Sequence, residues 1–171
     1  MLVKFKHITS FVFDVDGVLT DGTILVLQDG VHARKMNIKD GYALQLAVKK
    51  GYKVFIISGG DSLEVKARLQ KLGIAEVHMK VANKAELLNI LMTKHNLTAT
   101  ECLYMGDDIP DKHVMQLSGL PCCPADAVQE IKAVSTYISP YKGGEGCVRE
   151  VVEKVMKLRG DWNEDSSVRA Q

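Results

Sequence analysis

Short apolar runs alternate with longer stretches of helical spacing along most of this chain. Each run is apolar at nearly every position, a pattern that is typical of strands buried on both faces of a sheet. The runs lie at residues 11–15, 53–57, 76–79, 102–105, 120–122 and 137–138. The stretches with helical spacing lie at 41–50, 63–72, 84–95, 109–117, 126–133 and 146–158. The alternation predicts a three-layer, Rossmann-like α/β fold, in which a parallel sheet is covered by helices on both faces.

One segment departs from this alternation. Residues 23–27 and 32–36 flank Gln28-Asp29-Gly30, and an Asp-Gly pair between two alternating runs predicts a β-hairpin. The hairpin follows the first predicted strand directly, so we expect it to project as a flap beside the carboxyl end of the sheet.

The length and composition favour one ordinary globular domain. The 171 residues are enough to bury a sizeable core, and we assign residues 1–159 to a single domain. Residues 160–171 are polar and are predicted to form a disordered tail. The N-terminal residues run directly into the first predicted strand, without the long apolar core of a signal peptide.

Charge and cysteine content narrow the class of partner. The net charge of +1 gives no reason to expect a nucleic acid or an anionic membrane, and no apolar run approaches membrane-spanning length. The four cysteines have no Cys-x-x-Cys spacing, which favours reduced, structural thiols. These features predict a cytoplasmic protein.

Two carboxylates stand where the first predicted strand ends. Asp14 and Asp16 are separated by one residue and are followed by Gly17. In an extended chain, side chains two residues apart point to the same side, so both carboxylates could reach one reacting group. Buried carboxylates are unfavourable for stability unless they are paired or bind a metal, which favours a chemical role. A plain Asp-Gly turn would explain Asp16 and Gly17 alone.

Three further sets of polar residues follow later strands. The first is Ser58-Gly59-Gly60, whose hydroxyl and main-chain amides could bind phosphate oxygens. The second is Lys84, whose positive charge would offset that of a phosphate. The third consists of Asp107, Asp108 and Asp111, whose oxygens suit a hard cation. Taken singly, each has an ordinary alternative: a turn, a solvated lysine and an acid pair at a helix start. Ligands of parallel sheets gather at the carboxyl ends of the strands, so the four sets together predict one phosphoryl-transfer site.

The order Asp-x-Asp-Gly, Ser-Gly, Lys and Gly-Asp-Asp-x-x-Asp resembles the haloacid dehalogenase superfamily of phosphotransferases, over residues 10 to about 158. The resemblance implies that Asp14 is the nucleophile and becomes an aspartyl phosphate. It implies that Asp16 is the general acid for the leaving alcohol and then the base that activates water. Ser58 and Lys84 would hold the transferring phosphoryl group.

The same resemblance implies Mg²⁺ as cofactor. Its ligands would be Asp14, the main-chain carbonyl of Asp16 and Asp107, with Asp108 and Asp111 in support. An aspartate at position 14, with phosphate as substrate, disfavours dehalogenation.

A finer resemblance, to the capless tetrameric sugar-acid phosphatases of that superfamily, rests on segments 14–22, 36–42 and 143–150. It implies an enzyme without a cap domain and a homotetramer in which segment 143–150 closes the site of a neighbouring subunit. The implied substrate contacts are Asp16, Asn37, Ile38, Lys39, Asp40, Gly41, Gly59, Arg68 and Lys84. We also expect Asp40 to cap the helix that follows the hairpin.

Gly60 departs from the pattern of that family. An arginine usually follows the motif glycine in its octulosonate enzymes, and a glutamate does so in relatives that act on nine-carbon sugar acids, whereas this chain has Gly60. The substrate anion would then be held by another group, such as Lys39 or Arg149. The resemblance implies that the substrate is 3-deoxy-D-manno-octulosonate 8-phosphate, whose product is used in lipopolysaccharide synthesis. The alternatives are a nine-carbon sugar-acid 9-phosphate and a non-catalytic oligomerisation module.

Overall fold

A computed structural model of the chain describes residues 2–169. Its strands are β1 (Ser10–Phe13), β2 (Leu25–Val26), β3 (His32–Ala33), β4 (Lys53–Ile57), β5 (Glu76–His78), β6 (Cys102–Met105), β7 (Leu120–Cys123) and β8 (Tyr137–Ile138). Its helices are α1 (Leu2–His7), α2 (Ile38–Lys49), α3 (Leu63–Lys71), α4 (Lys84–Lys94), α5 (Lys112–Met115), α6 (Gln129–Val134) and α7 (Cys147–Arg159). Six strands form one sheet in the order β5-β4-β1-β6-β7-β8, and every pair is parallel.

The apolar strands divide the core into two layers, one on each face of the sheet. In β1, Phe11 and Phe13 pack with α1, α2, α3 and α7, whereas Val12 packs on the opposite face with α4, α5 and α6. Successive side chains of a strand point to opposite faces, so a strand covered on both sides must be apolar throughout. The predicted three-layer α/β fold is therefore confirmed.

The predicted hairpin is present, and it is shorter than the alternating runs suggested. β2 and β3 pair antiparallel through Leu25 with Ala33 and Val26 with His32. Leu25 and Val26 are 65% and 67% exposed, so the hairpin has little to pack against within its own chain. It forms a separate two-stranded sheet, as expected for a flap.

Three local predictions are corrected by the structure. The N-terminus forms helix α1 instead of running directly into the first strand, because Phe5 is fully buried and packs edge-on against the Tyr137 ring. β1 ends at Phe13, so Asp14 and Val15 belong to the loop that follows the strand. The predicted helix at 109–117 is divided into the 3₁₀ turn Ile109–Asp111, which contains a proline, and the short α5.

The C-terminal segment has defined contacts that its composition did not predict. Asp161 accepts a hydrogen bond from the Tyr52 hydroxyl at 2.6 Å, and Asp165 pairs with Lys49 at 2.6 Å. The Trp162 ring lies edge-on to Tyr42, with ring centroids 6.3 Å apart. Residues 170 and 171 of the predicted tail lie outside the described residues.

Within residues 2–169, no helix combines the length and the apolar character needed to cross a membrane.

Candidate active site

The polar residues that follow the strands meet at the carboxyl end of the sheet. Asp14 follows β1, Ser58 follows β4, Asp107 lies two residues after β6, and Lys84 begins α4. They line one cavity of about 270 Å³, together with Asp16, Gly17, Gly22, Gly59, Gly60, Asp108, Pro110 and Asp111. The structure therefore brings together all four sets that the sequence singled out.

Asp14 is fixed by the sheet and by Lys84. Its main-chain N–H donates to the Met105 carbonyl at 3.1 Å, which continues the pairing between β1 and β6. Its Oδ1 accepts from the Val15 N–H at 2.7 Å and lies 3.1 Å from Lys84 Nζ. Burial, with repulsion from Asp111, raises the pKa of the Asp14 carboxyl, and Lys84 offsets part of this rise.

The buried Asp111 carboxylate holds Lys84 in place. This carboxylate is 1% exposed, and it accepts from Lys84 Nζ and from the Tyr104 hydroxyl, both at 2.8 Å. Its second oxygen accepts from the Asp107 N–H at 3.3 Å. Burial acts to lower the pKa of the Lys84 ammonium, but the charges of Asp14 and Asp111 outweigh it and raise that pKa overall. Lys84 is therefore held as a cation between two carboxylates.

Three carboxylates form a group that suits a divalent cation. One oxygen each from Asp14, Asp107 and Asp111 lies within 4.8 Å of the others. Burial, followed by repulsion from Asp111 and Asp108, raises the pKa of Asp107 to about 7. Buried like charges of this kind are stabilised by a hard cation with oxygen ligands, and Mg²⁺ fits this donor set. Asp108 has another contact, since its side chain accepts from the Ile109 N–H at 2.8 Å.

Gly17 is required at its position because the Asp107 carboxylate rests directly on it. A Cβ at this position would lie 2.0 Å from Asp107 Oδ2, and the φ of Gly17 is +83°. The loop is held by Thr20, whose Oγ1 accepts from the N–H groups of Gly17 and Gly22 at 3.2 and 3.3 Å. Any side chain at position 17 would therefore displace the Asp107 carboxylate.

Arg34 is a site residue that the sequence interpretation missed. From the strand β3 side of the hairpin, its Nε donates to Asp16 Oδ1 at 2.6 Å and its Nη2 to Oδ2 at 3.3 Å. The Arg34 side chain is only 5% exposed, and the hydrogen bond to Asp16 raises the pKa of its guanidinium. An arginine on an exposed hairpin is ordinarily solvated, so only the return of the hairpin toward the loop after the first strand could have indicated this pair.

The predicted substrate loop at 37–41 does not line the cavity around Asp14. Asn37 caps α2, accepting from the Lys39 N–H at 2.8 Å, and its Nδ2 donates to the Gly144 carbonyl at 3.1 Å. Asp40, which we expected to cap this helix, is instead 1% exposed in its first turn. There it accepts from the Arg149 N–H at 2.8 Å, since Asn37 already supplies the cap.

Other predicted contacts are distributed over two neighbouring cavities. Ile38 and Arg68 line one of about 400 Å³ between the hairpin and α3. Lys39 and Arg149 line another of about 740 Å³ beside α7, which Ile38 also borders. Gly41 is buried within α2. The structure thus separates these residues from the phosphoryl-transfer cavity, with Ile38 and Arg68 on the side of the hairpin.

Asp40 gives a prediction on stability. Burial raises its pKa from 3.8 to about 6, so the folded state binds this proton more tightly than the unfolded state. The free energy of unfolding should therefore fall as the pH rises from about 4 to about 6, and stay lower above that. The unaltered protein should lose this stability between pH 4 and pH 7, whereas Asp40→Asn should not. The difference in free energy of unfolding between the two should therefore shift by about 2 to 3 kcal/mol in favour of Asp40→Asn over this range, measured by urea unfolding. The exposed Asp29→Asn is the matched control, and an equal effect of Asp40→Asn at both pH values would contradict the assignment.

The buried aspartate after the first strand, its lysine and the carboxylate group define a metal-dependent phosphoryl-transfer site. The sequence model of the family described as haloacid dehalogenase-like hydrolase matches residues 70–151. A 3-deoxy-D-manno-octulosonate 8-phosphate phosphatase from Salmonella typhi is 32% identical over 164 residues, which cover 96% of this chain and 87% of that protein. The chain therefore belongs to the haloacid dehalogenase-like hydrolases, as its motifs predicted.

Solved structures agree with this assignment. The 3-deoxy-D-manno-octulosonate 8-phosphate phosphatase from Moraxella catarrhalis, in complex with magnesium, phosphate and KDO, superposes with a TM-score of 0.90 at 34% identity. The alignment covers 94% of this chain and 92% of that one. The cobalt-bound deoxy-D-mannose-octulosonate 8-phosphate phosphatase from Haemophilus influenzae has a TM-score of 0.88 at 28% identity, with 92% of each chain covered.

Proposed function

We propose that this protein is a Mg²⁺-dependent phosphatase that hydrolyses 3-deoxy-D-manno-octulosonate 8-phosphate to 3-deoxy-D-manno-octulosonate and phosphate. The observation that carries the proposal is the buried Asp14 carboxylate, held by Lys84 beside Asp107 and Asp111. The relatives named for this activity support the substrate, and one of them binds magnesium, phosphate and KDO.

Asp14 is the proposed nucleophile. The Val15 N–H and Lys84 fix the orientation of its carboxylate, so little reorganisation is needed before it attacks phosphorus. The attack forms an aspartyl phosphate and breaks the bond from phosphorus to the sugar oxygen. Lys84 and Ser58 hold the phosphoryl oxygens during this transfer, and Gly59 borders the same cavity.

Asp16 is the proposed general acid and base. Its carboxylate accepts from two N–H groups of Arg34, its side chain is 35% exposed, and it lines the cavity that contains Asp14. Asp16 enters the first step as the protonated acid and gives that proton to the leaving sugar oxygen. As the carboxylate paired with Arg34, it then takes a proton from the water that attacks the aspartyl phosphate, which regenerates the acid. When bound, Mg²⁺ would neutralise phosphoryl charge, and Asp14, Asp107 and the Asp16 carbonyl would hold it, with Asp111 in support.

The proposal includes a homotetramer in the cytoplasm. Five apolar side chains of the hairpin are 44% to 67% exposed, which suits burial against another copy of the chain. They are Ile24, Leu25, Val26, Leu27 and Val31. The four cysteines are buried free thiols, as suits a reducing compartment.

Light scattering on a size-exclusion column should give four times the chain mass of 18.9 kDa, and a monomer would contradict the tetramer.

Closure of a neighbouring site by segment 143–150 is part of the same proposal. Within its own chain, the Gly144 N–H donates to the Val18 carbonyl at 2.9 Å and the Gly143 N–H to Asp126 at 3.0 Å. The first contact holds the segment against the loop that carries Asp16, and the second holds it against the loop after β7. Glu145 is exposed and available to a neighbour. Since residues 2–169 form no cap over the site, such a neighbour would limit access of water to it.

The experiment that tests the function compares two phosphate esters. We expect Mg²⁺-dependent release of phosphate from 3-deoxy-D-manno-octulosonate 8-phosphate, with a kcat/KM above that for a nine-carbon sugar-acid 9-phosphate. The nine-carbon ester stays the second candidate because of Gly60. At this position the octulosonate enzymes usually carry an arginine and the nine-carbon enzymes a glutamate, and glycine matches neither. Preference for the nine-carbon ester would change the substrate and keep the chemistry. No release from either ester by the folded tetramer would favour the oligomerisation module.

A further inference from the structure

Gly60 and Arg34 occupy one small volume next to Asp16. A Cβ at position 60 would lie 2.8 Å from Asp16 Oδ2 and 3.3 Å from Arg34 Nη2. A distance below 3.0 Å is not tolerated without movement, so a side chain at position 60 would disturb the contact between Arg34 and Asp16. Because Gly60 has no side chain, the Arg34 guanidinium of the hairpin can lie in this volume.

The Arg34 guanidinium keeps donors for a further anion. Of its five N–H groups, the Nε–H and one on Nη2 donate to Asp16, and one on Nη1 donates to the His32 carbonyl at 3.2 Å. One N–H on Nη1 and one on Nη2 remain. Two N–H groups on neighbouring nitrogens match the two oxygens of a carboxylate.

Arg34 also lines the cavity of about 400 Å³ between the hairpin and α3. Arg68 lines it from α3, and the buried Nε of Arg68 has no hydrogen-bond partner among the described residues. The acidic lining residue is Glu64, whose Oε2 accepts from the Ser62 hydroxyl at 3.1 Å. Two arginines against one glutamate give the cavity an excess of positive charge, with a buried donor that lacks an acceptor. This combination suits a carboxylate.

We propose that Arg34 is the residue that selects the sugar acid, binding the substrate carboxylate in this cavity with Arg68 as the second cation. The proposal rests on the proposed function, since the phosphate end of the substrate must lie at Asp14. Arg34 contacts Asp16 on one edge and the cavity on the other, so it joins the phosphoryl-transfer cavity to the carboxylate cavity. In this chain the positive group for the carboxylate is therefore Arg34 of the hairpin, and Gly60 leaves the space for its guanidinium.

The two cations considered from the sequence are engaged elsewhere. The Arg149 guanidinium lies 5.7 and 5.6 Å from the ring centroids of Tyr42 and Trp162, and its Nε is 3.2 Å from Glu153. Lys39 lines the cavity beside α7 with Arg149, and neither residue lines the cavities that contain Asp14 or Arg34. Both are therefore poorly situated for a carboxylate whose phosphate is at Asp14.

The test compares two esters that differ only at the carboxylate: 3-deoxy-D-manno-octulosonate 8-phosphate and its C1 carboxamide. The unaltered protein should prefer the acid by about 10- to 100-fold in kcat/KM, as expected for a charge-assisted contact. Arg34→Gln should reduce this preference by about 10-fold, because the neutral amide cannot pair with the carboxylate charge and Arg68 alone remains. The ratio of the two esters cancels any loss that comes from the altered contact with Asp16. Lys35→Gln, the same change on a neighbouring exposed residue, should keep the preference.

A second pair of variants tests whether a guanidinium at position 60 can replace that of Arg34. Arg34→Ala should lower the preference as Arg34→Gln does, and adding Gly60→Arg to it should restore part of the preference, because the emptied volume then receives a guanidinium.

Three outcomes would overturn the proposal. In the first, Arg34→Gln slows both esters equally, which would make Arg34 a positioning residue for Asp16 alone. In the second, the unaltered protein does not distinguish acid from amide. In the third, it releases phosphate from neither ester, which would overturn the proposed function and this inference together.

Discussion

Asp14→Asn is expected to reduce phosphate release by a factor on the order of 10⁴ or more while leaving the fold intact. Asparagine keeps the size of the side chain and the oxygen that accepts from the Val15 N–H. It removes the nucleophilic carboxylate oxygen, which is required to form the aspartyl phosphate. The measurement is steady-state phosphate release from 3-deoxy-D-manno-octulosonate 8-phosphate, with circular dichroism and the mass in solution recorded on the same sample.

Asp61→Asn is the matched control for Asp14→Asn. Asp61 is exposed near the same end of the sheet and pairs with Lys80 at 2.8 Å, so its loss should leave kcat/KM nearly unchanged. Asp14→Asn activity within about tenfold of the unaltered protein, after removal of host phosphatases, would exclude Asp14 as the nucleophile.

Removal of the divalent cation is the second large effect that we expect. Chelation should reduce phosphate release to background, and added Mg²⁺ should restore it, because the cation offsets the charge of the phosphoryl group and of the three carboxylates. Mg²⁺ should also raise the unfolding temperature, since it binds the folded state at a group of buried carboxylates that repel one another. Thermal unfolding with and without Mg²⁺ measures this effect independently of activity.

Asp107→Asn and Asp108→Asn form a matched pair for the cation. Asp107→Asn should raise the Mg²⁺ concentration for half-maximal activity by about 10- to 100-fold, because a carboxylate ligand is lost. Asp108→Asn should raise it less, since that side chain caps the following turn at Ile109 and is not one of the three grouped carboxylates. Equal effects of the two changes, or full activity of the chelated protein, would be inconsistent with the assigned cation site.

Apolar runs and residue order predicted most of the fold and the centre of the site. A buried parallel strand must be apolar on both faces, so β1, β4 and β6 are visible in the sequence. Asp14, Ser58 and Asp107 follow such strands, and parallel strands bring their carboxyl ends to one edge. The grouping in the structure follows from these two facts, while the chemical roles stay predictions.

Contacts between distant segments were not predictable in the same way. Asn37 and Asp40 are both good capping residues, and only the position of the Arg149 N–H leaves Asp40 inside the helix. Helix α1 depends on one buried side chain, Phe5, which gives no periodic signal. Arg34 meets Asp16 because the hairpin returns to the loop after the first strand, where Met36 bridges to Thr20, and because Gly60 has no side chain.

Identification of the phosphorylated residue tests the central claim most directly. The protein is mixed with 3-deoxy-D-manno-octulosonate 8-phosphate and Mg²⁺, quenched in acid during turnover, and reduced with borohydride, which converts an aspartyl phosphate to homoserine. Peptide mass spectrometry should find homoserine at position 14 in the unaltered protein and none in Asp14→Asn. Homoserine at position 16 or 107, or turnover that leaves every aspartate unmodified, would contradict an aspartyl-phosphate mechanism through Asp14.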